Sequence, residues 1–227
     1  MKIVISSGHG KYVPGAIGIL NEVTESRRVA SKVAGYLRQL GNIVTEFNDD
    51  ISQNQQQNLN AIVGFHNAQA RNLDISVHFN AFKPTNNPVG TEVFYYDSKG
   101  LADKVSNAVA GASGLINRGG KINKSLMFLN STKMPAILIE VCFVDSVADV
   151  NIYNSKFDAI CLAIAEAVSG KKLNIPVAPS NWAAPAWEWG ERNSVTDGSN
   201  PRGSITREQA VQLLYNYHNK VAPGNRA

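Results

Sequence analysis

The chain has 227 residues, 44% of them apolar and 18% charged, with a formal net charge of +4. That balance excludes a disordered chain. No run approaches the ~18 consecutive apolar residues of a membrane span, so a membrane is excluded as a partner. The mild positive charge suits an anionic polymer, but without a dense Lys/Arg run it does not argue for nucleic acid.

Lys2–Ser7 reads as a first strand, too short and too early for the apolar core of a signal peptide. The glycine-rich loop Gly8–Gly18 lacks the Gly-Lys-Ser/Thr ending of a phosphate-binding loop. A helix is predicted from Glu22 to Leu40, with Val29, Val33, Leu37 and Leu40 at helical spacing and Gly41 as its stop. Asn42–Phe47 is a short strand, and Gln55–Ala70 a second helix whose inward stripe includes His66, read as a core or boundary histidine. In Leu73–Asn80, Ile75, Val77 and Phe79 alternate with Asp74, Ser76 and His78, which is strand periodicity. Gly90–Tyr96 is a strand and Leu101–Ala112 a helix, followed by an exposed basic loop, Gly114–Lys124. Leu126–Leu129 reads as a short strand and Lys156–Ser169 as a last helix. Between them, Pro135–Phe143 is apolar enough for a central strand buried on both faces.

Alternating strands and helices predict an α/β fold: a single mixed, mostly parallel twisted sheet with helices on both faces. Residues 1–170 form that domain, 171–180 a linker with Pro176 and Pro179, and 181–227 a small helical module. In the module, Asp197-Gly198 and Asn200-Pro201 mark turns, and Thr206-Arg207-Glu208-Gln209 reads as a capping box. Cys142 and Cys161 sit in apolar surroundings outside any CxxC pair, which favours two reduced core thiols.

Chemistry concentrates where strands end. His9 follows the first strand between two glycines, Glu22 opens the first helix, and His78 closes a buried strand. Singly, each has an ordinary explanation: a solvated loop histidine, a carboxylate at a helix N-terminus, a satisfied core histidine. Glu140, inside Pro-Ala-Ile-Leu-Ile-Glu-Val-Cys-Phe, is costly to bury unless paired. Jointly, two imidazoles and one carboxylate match a catalytic zinc site that keeps one position for water. Glu140 would stand outside the ligand set as a general base.

Four separated motifs resemble the zinc-dependent N-acetylmuramoyl-L-alanine amidases of the Amidase_3 type, found in bacterial autolysins and phage endolysins. They are Gly8-His9-Gly10, Glu22 placed nineteen residues before Gly41, Ser76-Val77-His78-Phe79-Asn80-Ala81, and Pro135-Ala136-Ile137-Leu138-Ile139-Glu140. Glu25 is a competing register for Glu22. Leu59, Asn67, Arg118-Gly119 and Asp149 also fall where the family tends to have them, whereas Cys142-Phe143, Ile62 and Glu46-Phe47 depart from its pattern.

The resemblance implies one Zn2+ held by His9, Glu22 and His78, with Glu140 catalytic. The substrate would be bacterial peptidoglycan, cut between the lactyl group of N-acetylmuramic acid and L-alanine. Asn80, Arg118 and Lys121 are candidate substrate-binding residues, the two cations facing carboxylates of the peptide stem. Another zinc hydrolase of the wall, a peptidase or deacetylase, and a non-catalytic wall-binding protein are the rival readings.

Residues 181–227 resemble the short C-terminal modules of some phage lysins and one S-layer-homology-like unit. The matching residues are Trp187-Glu188-Trp189, Thr196-Asp197-Gly198, Asn200-Pro201 and Thr206–Gln209. Residues 171–227 hold seven Lys/Arg against four Asp/Glu, so +3 of the net charge lies there. Three expectations compete for that tail: binding to a secondary cell-wall polymer, docking on the catalytic domain, and pairing into a homo-oligomer. With no signal peptide expected, the chain reads as a phage lysin made in the host cytoplasm and acting on the wall after release.

Overall fold

A computed structural model describes residues 1–174, 179–197 and 201–220. Pro176 of the expected linker, and Gly198 and Asn200 of the expected turns, lie outside the described residues. The chain divides into two compact units, Met1–Leu173 and Asn174–Ala227.

In chain order the first unit runs β1 (Lys2–Ser7), α1 (Glu22–Gln39), β2 (Ile43–Phe47), α2 (Gln55–Ala68), β3 (Leu73–Asn80), β4 (Thr91–Tyr95) and α3 (Lys99–Ser113). It continues with β5 (Asn117–Ile122), α4 (Met127–Ser131), β6 (Ala136–Phe143) and α5 (Val147–Ser169). One six-stranded sheet has the order β2-β1-β3-β6-β4-β5. It is mixed: β4 runs antiparallel to β6, and every other pairing is parallel. The α/β expectation therefore holds.

The two faces of the sheet differ. On one, α1, α3 and α5 pack over Ile3, Ile5, Ile75, Val77, Val93 and Ile139, all buried. Burial on this scale, at about 25 cal/mol per Å² of apolar surface, is the main force holding the layers together. On the other, α2 and α4 cover a smaller cluster of Ile62, Phe128, Leu129, Ala136 and Leu138. That second cover ends below the row formed by His78, Glu140 and Glu92, which are lateral neighbours across β3, β6 and β4. Directly paired residues point to the same face, so these three side chains project together.

Beneath that row a buried polar chain ties α2 to the sheet. His66 contacts Ser6 Oγ through Nε2 (3.1 Å) and Asp74 Oδ1 through Nδ1 (2.8 Å), and Arg71 donates to both Asp74 oxygens (2.6 and 2.8 Å). Ser6, His66 and Asp74 have the order of a nucleophile, base and orienter, but Ser6 and Asp74 are fully buried and no substrate can reach them. Their role is to brace the layers, as expected for a core His66. Cys142 and Cys161 are free and buried.

Three elements differ from the sequence expectation. Residues 117–122 of the expected basic loop form β5, an edge strand. Its Asn-Arg-Gly-Gly-Lys-Ile sequence has no apolar alternation, and pairing to β4 carries it instead. Leu126–Leu129 is not a strand: α4 begins at Met127 and buries Phe128 and Leu129. A short apolar run does not distinguish a strand from a buried helical turn. The last helix of the domain starts at Val147 rather than Lys156, because Ser146 accepts from the Asp149 amide (3.2 Å) and caps it.

The second unit contains α6 (Ala184–Arg192) and α7 (Arg207–Lys220). The capping box is present: Gln209 N donates to Thr206 Oγ1 (3.2 Å), and Thr206 N to Gln209 Oε1 (2.8 Å). Trp189 and Tyr217 bring their rings to 5.7 Å, while Trp182 is 88% exposed. Among the described residues no helix is long and apolar enough to cross a membrane.

Asp74→Ala leaves Arg71 and His66 buried without their acceptor, so it should lower the unfolding free energy by about 3–5 kcal/mol. Urea denaturation followed by far-UV circular dichroism checks this. The midpoint should fall with the slope unchanged.

Candidate metal centre

The site is assembled from three separated places in the chain. His9 lies in the loop that leaves β1, and pairing continues past the strand because Gly8 N donates to Val77 O (2.9 Å). That hydrogen bond brings the loop against the end of β3. A Cβ on Gly8 would fall inside the His78 imidazole, and one on Gly15 would collide with the Glu22 carboxylate and the His9 ring. The glycines thus serve close approach of backbone to side chains.

Glu22 is the first residue of α1, whose N-cap Asn21 accepts from Thr24 N (3.2 Å). Its carboxylate is 3% exposed and receives two backbone donors, Ala16 N at Oε2 (2.5 Å) and Phe79 N at Oε1 (3.0 Å). His78 Nδ1 lies 3.0 Å and His9 Nε2 3.4 Å from the same Oε1. One donor atom from each of His9, Glu22 and His78 lies within 4.8 Å of the others, so the group could hold a metal ion. Glu25, the competing register, lies outside it: its carboxylate accepts from Tyr153 OH (2.5 Å) and pairs with Arg28 (3.2 Å).

The electrostatics fit a cation. Burial disfavours the charge on Glu22, but the His78 hydrogen bond, both imidazoles and the Phe79 amide outweigh it and hold its carboxyl below the usual range. Burial also opposes protonation of His78, yet Glu22 and the charge of Glu140 raise its pKa. His9 is shifted down by burial and by the neighbouring His78. Both imidazoles approach one carboxylate oxygen, and the buried His9 Nδ1 has no hydrogen-bond partner among the described residues. Two imidazole nitrogens and a carboxylate oxygen are the donor set of an open zinc-type site.

Glu140, on β6 beside His78, is not part of that triad. Its Oε2 is buried with no hydrogen-bond partner among the described residues. Burial, reinforced by the charges of Glu22 and Glu92 and opposed by His78, pushes its carboxyl up to about 7. A carboxyl near neutrality can both take and return a proton.

The remaining candidates gather on a residue that sequence reasoning missed. Glu92, buried in β4 opposite Glu140, accepts from Asn80 Nδ2 (3.0 Å), Arg118 Nε (2.5 Å) and Lys121 Nζ (2.5 Å). Burial opposes its charge, but the two cations hold its carboxyl below the usual range. The argument applied to Glu140, a carboxylate inside an apolar run, fits Gly-Thr-Glu-Val-Phe-Tyr equally and would have found it.

Fold and site together define an α/β protein with an open two-histidine, one-carboxylate cradle at its strand ends and an uncommitted carboxyl beside it. A model of the N-acetylmuramoyl-L-alanine amidase family, Amidase_3, matches residues 3–170, and the chain belongs to that family. It is 34% identical over 188 residues to the uncharacterized protein CPE1502 of Clostridium perfringens, covering 79% of this chain and 55% of that one. The chain therefore spans about half the length of the curated relatives it matches.

Among solved structures, the catalytic domain of the CD27L endolysin targeting Clostridia Difficile superposes with a TM-score of 0.70 at 29% identity, covering 77% of this chain and 99% of that one. The catalytic domain of CwlV, an N-acetylmuramoyl-L-alanine amidase from Bacillus (Paenibacillus) polymyxa var. colistinus, gives 0.62 at 25% identity, covering 75% and 97%.

Gly8→Ala should displace the His78 ring while leaving the sheet intact. Affinity of the cradle for a divalent metal, probed with Zn2+ in competition with a chromogenic chelator, should fall by roughly 10–100-fold, as when a metal ligand loses its orientation. Far-UV circular dichroism should be unchanged.

Proposed function

We propose that the protein is a zinc-dependent N-acetylmuramoyl-L-alanine amidase that hydrolyses peptidoglycan between the lactyl carbonyl of N-acetylmuramic acid and L-alanine. The supporting observation is the convergence of His9, Glu22 and His78 next to the unpartnered Oε2 of Glu140, within a domain of this family. In this reading the three residues hold one zinc ion. Bound there, zinc supplies Lewis acidity and brings the pKa of a water down toward ~7.

The protein's part is to hold and move a proton. Glu140 takes one from the attacking water as its oxygen bonds the lactyl carbonyl carbon. It then delivers that proton to the amide nitrogen as the C–N bond breaks, releasing the L-alanyl amine. A carboxyl near 7 suits both halves of that transfer. Glu22, whose carboxyl, despite burial, is held below the usual range by His78, His9 and the Phe79 amide, belongs to the cradle and does not take the base's role. Asn80, Arg118 and Lys121 line the side of the site toward β5 and contact the peptide.

The likeness to an endolysin catalytic domain supports a lytic role late in phage growth, after synthesis in a host cell. Residues 171–227, which carry +3 of the net charge and all three tryptophans, serve attachment to an anionic wall polymer.

Glu140→Gln should keep one zinc per chain by metal analysis yet lose about 10²–10⁴-fold in the release of L-alanine N-termini from purified wall. His78→Ala should lose both metal and turnover, and a chelator should act on the wild type as His78→Ala does. Release of reducing sugars or of other N-termini would show a different hydrolase. Removing residues 174–227 should weaken pelleting with whole walls several-fold while hydrolysis of a soluble muropeptide stays within about twofold; equal pelleting would rule out the attachment role.

A further inference from the structure

The cations beside the site are placed by a defect in β5. Thr91 pairs with Asn117, and Val93 with Gly120, so Glu92 alone faces both Arg118 and Gly119. Arg118 and Lys121 are three positions apart and in a regular strand would point to opposite faces. The extra residue shifts the alternation. Asn117 and Gly120 face α3, where Asn117 meets Ser106 (2.6 Å) and the Gly120 amide meets Asp103 (3.0 Å). Arg118 and Lys121 both fall on the face of Glu92. Gly119, at φ +78°, makes the turn of the bulge.

On that face Arg118 is fixed at two points. Its Nε donates to the buried Glu92, and its Cζ lies 5.0 Å over the Phe143 ring. These contacts leave Nη1 and Nη2 with no protein partner among the described residues, on a side chain one-third exposed (34%). A guanidinium pinned at Nε presents its remaining pair of N–H groups as a fork, the geometry that receives a carboxylate bidentately. Lys121 adds a second cation, so two positive charges surround one committed negative charge.

We infer that Glu92, Arg118 and Lys121 form a carboxylate-receiving subsite in which Arg118 determines specificity and Glu92 is a positioning residue. This rests on the proposed reading of the site. Glu92 is separated from the metal-cradle residue His78 only by Glu140 in the lateral row. At about 4.8 Å per strand, Glu92 lies roughly 10 Å from His78. That is the reach of one or two residues of peptide from the scissile amide. The anion is the α-carboxylate of the γ-linked glutamate that follows L-alanine in the stem. The subsite favours stems that carry this group as a free acid over stems that carry it as a carboxamide, because an amide offers a donor where two cations require an acceptor.

Two soluble muropeptides identical except for that group, free acid or carboxamide, test the inference on the zinc-loaded full chain. The wild type should show a kcat/KM preference of roughly tenfold or more for the acid, carried by KM. Arg118→Met should remove the preference by raising KM for the acid to the value for the carboxamide, with the fold checked by far-UV circular dichroism. Glu92→Gln should reduce the preference severalfold although Arg118 is present, and Glu92→Asp should restore part of it. Binding of the same two ligands to the Glu140→Gln protein, read by calorimetry, should show the same preference without turnover.

Equal handling of acid and carboxamide by the wild type, or a preference that survives Arg118→Met, would overturn the subsite. Absent hydrolysis with an intact, Arg118-dependent binding preference would overturn the amidase reading and leave the subsite standing.

Discussion

A single buried carboxylate organises this molecule. Glu22 stands at the N-terminus of α1 with its charge taken out of water, and an isolated charge in that position would be severely destabilising. Four groups converge on it: the amides of Ala16 and Phe79, and the imidazoles of His9 and His78. Satisfying it therefore ties together the loop after β1, the first turn of α1 and the end of β3. The positive end of the α1 dipole contributes in the same direction. The crowding this produces accounts for the glycines at 8 and 15, whose Cβ atoms would have no space.

The sheet then decides what stands next to the cradle. Because β3, β6 and β4 are adjacent and in register at His78, Glu140 and Glu92, three side chains share one face where the cover of α2 and α4 has ended. Antiparallel insertion of β4 between β6 and β5 is what brings Glu92 into this row. A parallel βαβ connection would have placed a different part of the chain there. The buried Ser6–His66–Asp74–Arg71 chain ties β3 to β1 and α2 below the His78 end of that row.

Much of this was legible in the sequence, for a physical reason. His9, His78 and Glu140 each break a pattern that the fold otherwise enforces, as polar groups at the ends of apolar strands or a charge inside one, whereas Glu22 at a helix N-terminus breaks none and is marked only by the family resemblance. Such breaks are visible without coordinates. The β5 strand was not visible, because an edge strand built of Asn117, Arg118, Gly119, Gly120 and Lys121 carries no hydrophobic period and depends on β4 for its hydrogen bonds. For the same reason Arg118 and Lys121 read as loop residues in the sequence. The bulge that turns both toward Glu92 is a register shift, and register is a property of two strands together. The first turns of α5 carry the stripe Val150, Tyr153 and Phe157, but Asn151, Asn154 and Ser155 between them are weak helix formers, so the sequence pattern places the start too late.

The three glutamates of the site illustrate how environment divides one chemistry into separate roles. All are carboxylates on neighbouring elements, and all suffer desolvation. Glu22 overcomes it with backbone donors and imidazoles, so it stays charged and fixed. Glu92 overcomes it with two cations, so it stays charged and serves as an anchor. Glu140 has no such donor on Oε2 among the described residues, and burial, helped by the charges of Glu22 and Glu92, pushes its carboxyl up to about 7. The residue left unsatisfied is the one able to exchange a proton, and it remains unsatisfied because its two neighbours have taken the available partners. Strand register places Glu140 between His78 and Glu92, and the way Glu22 and Glu92 are held leaves it the carboxyl free to exchange a proton.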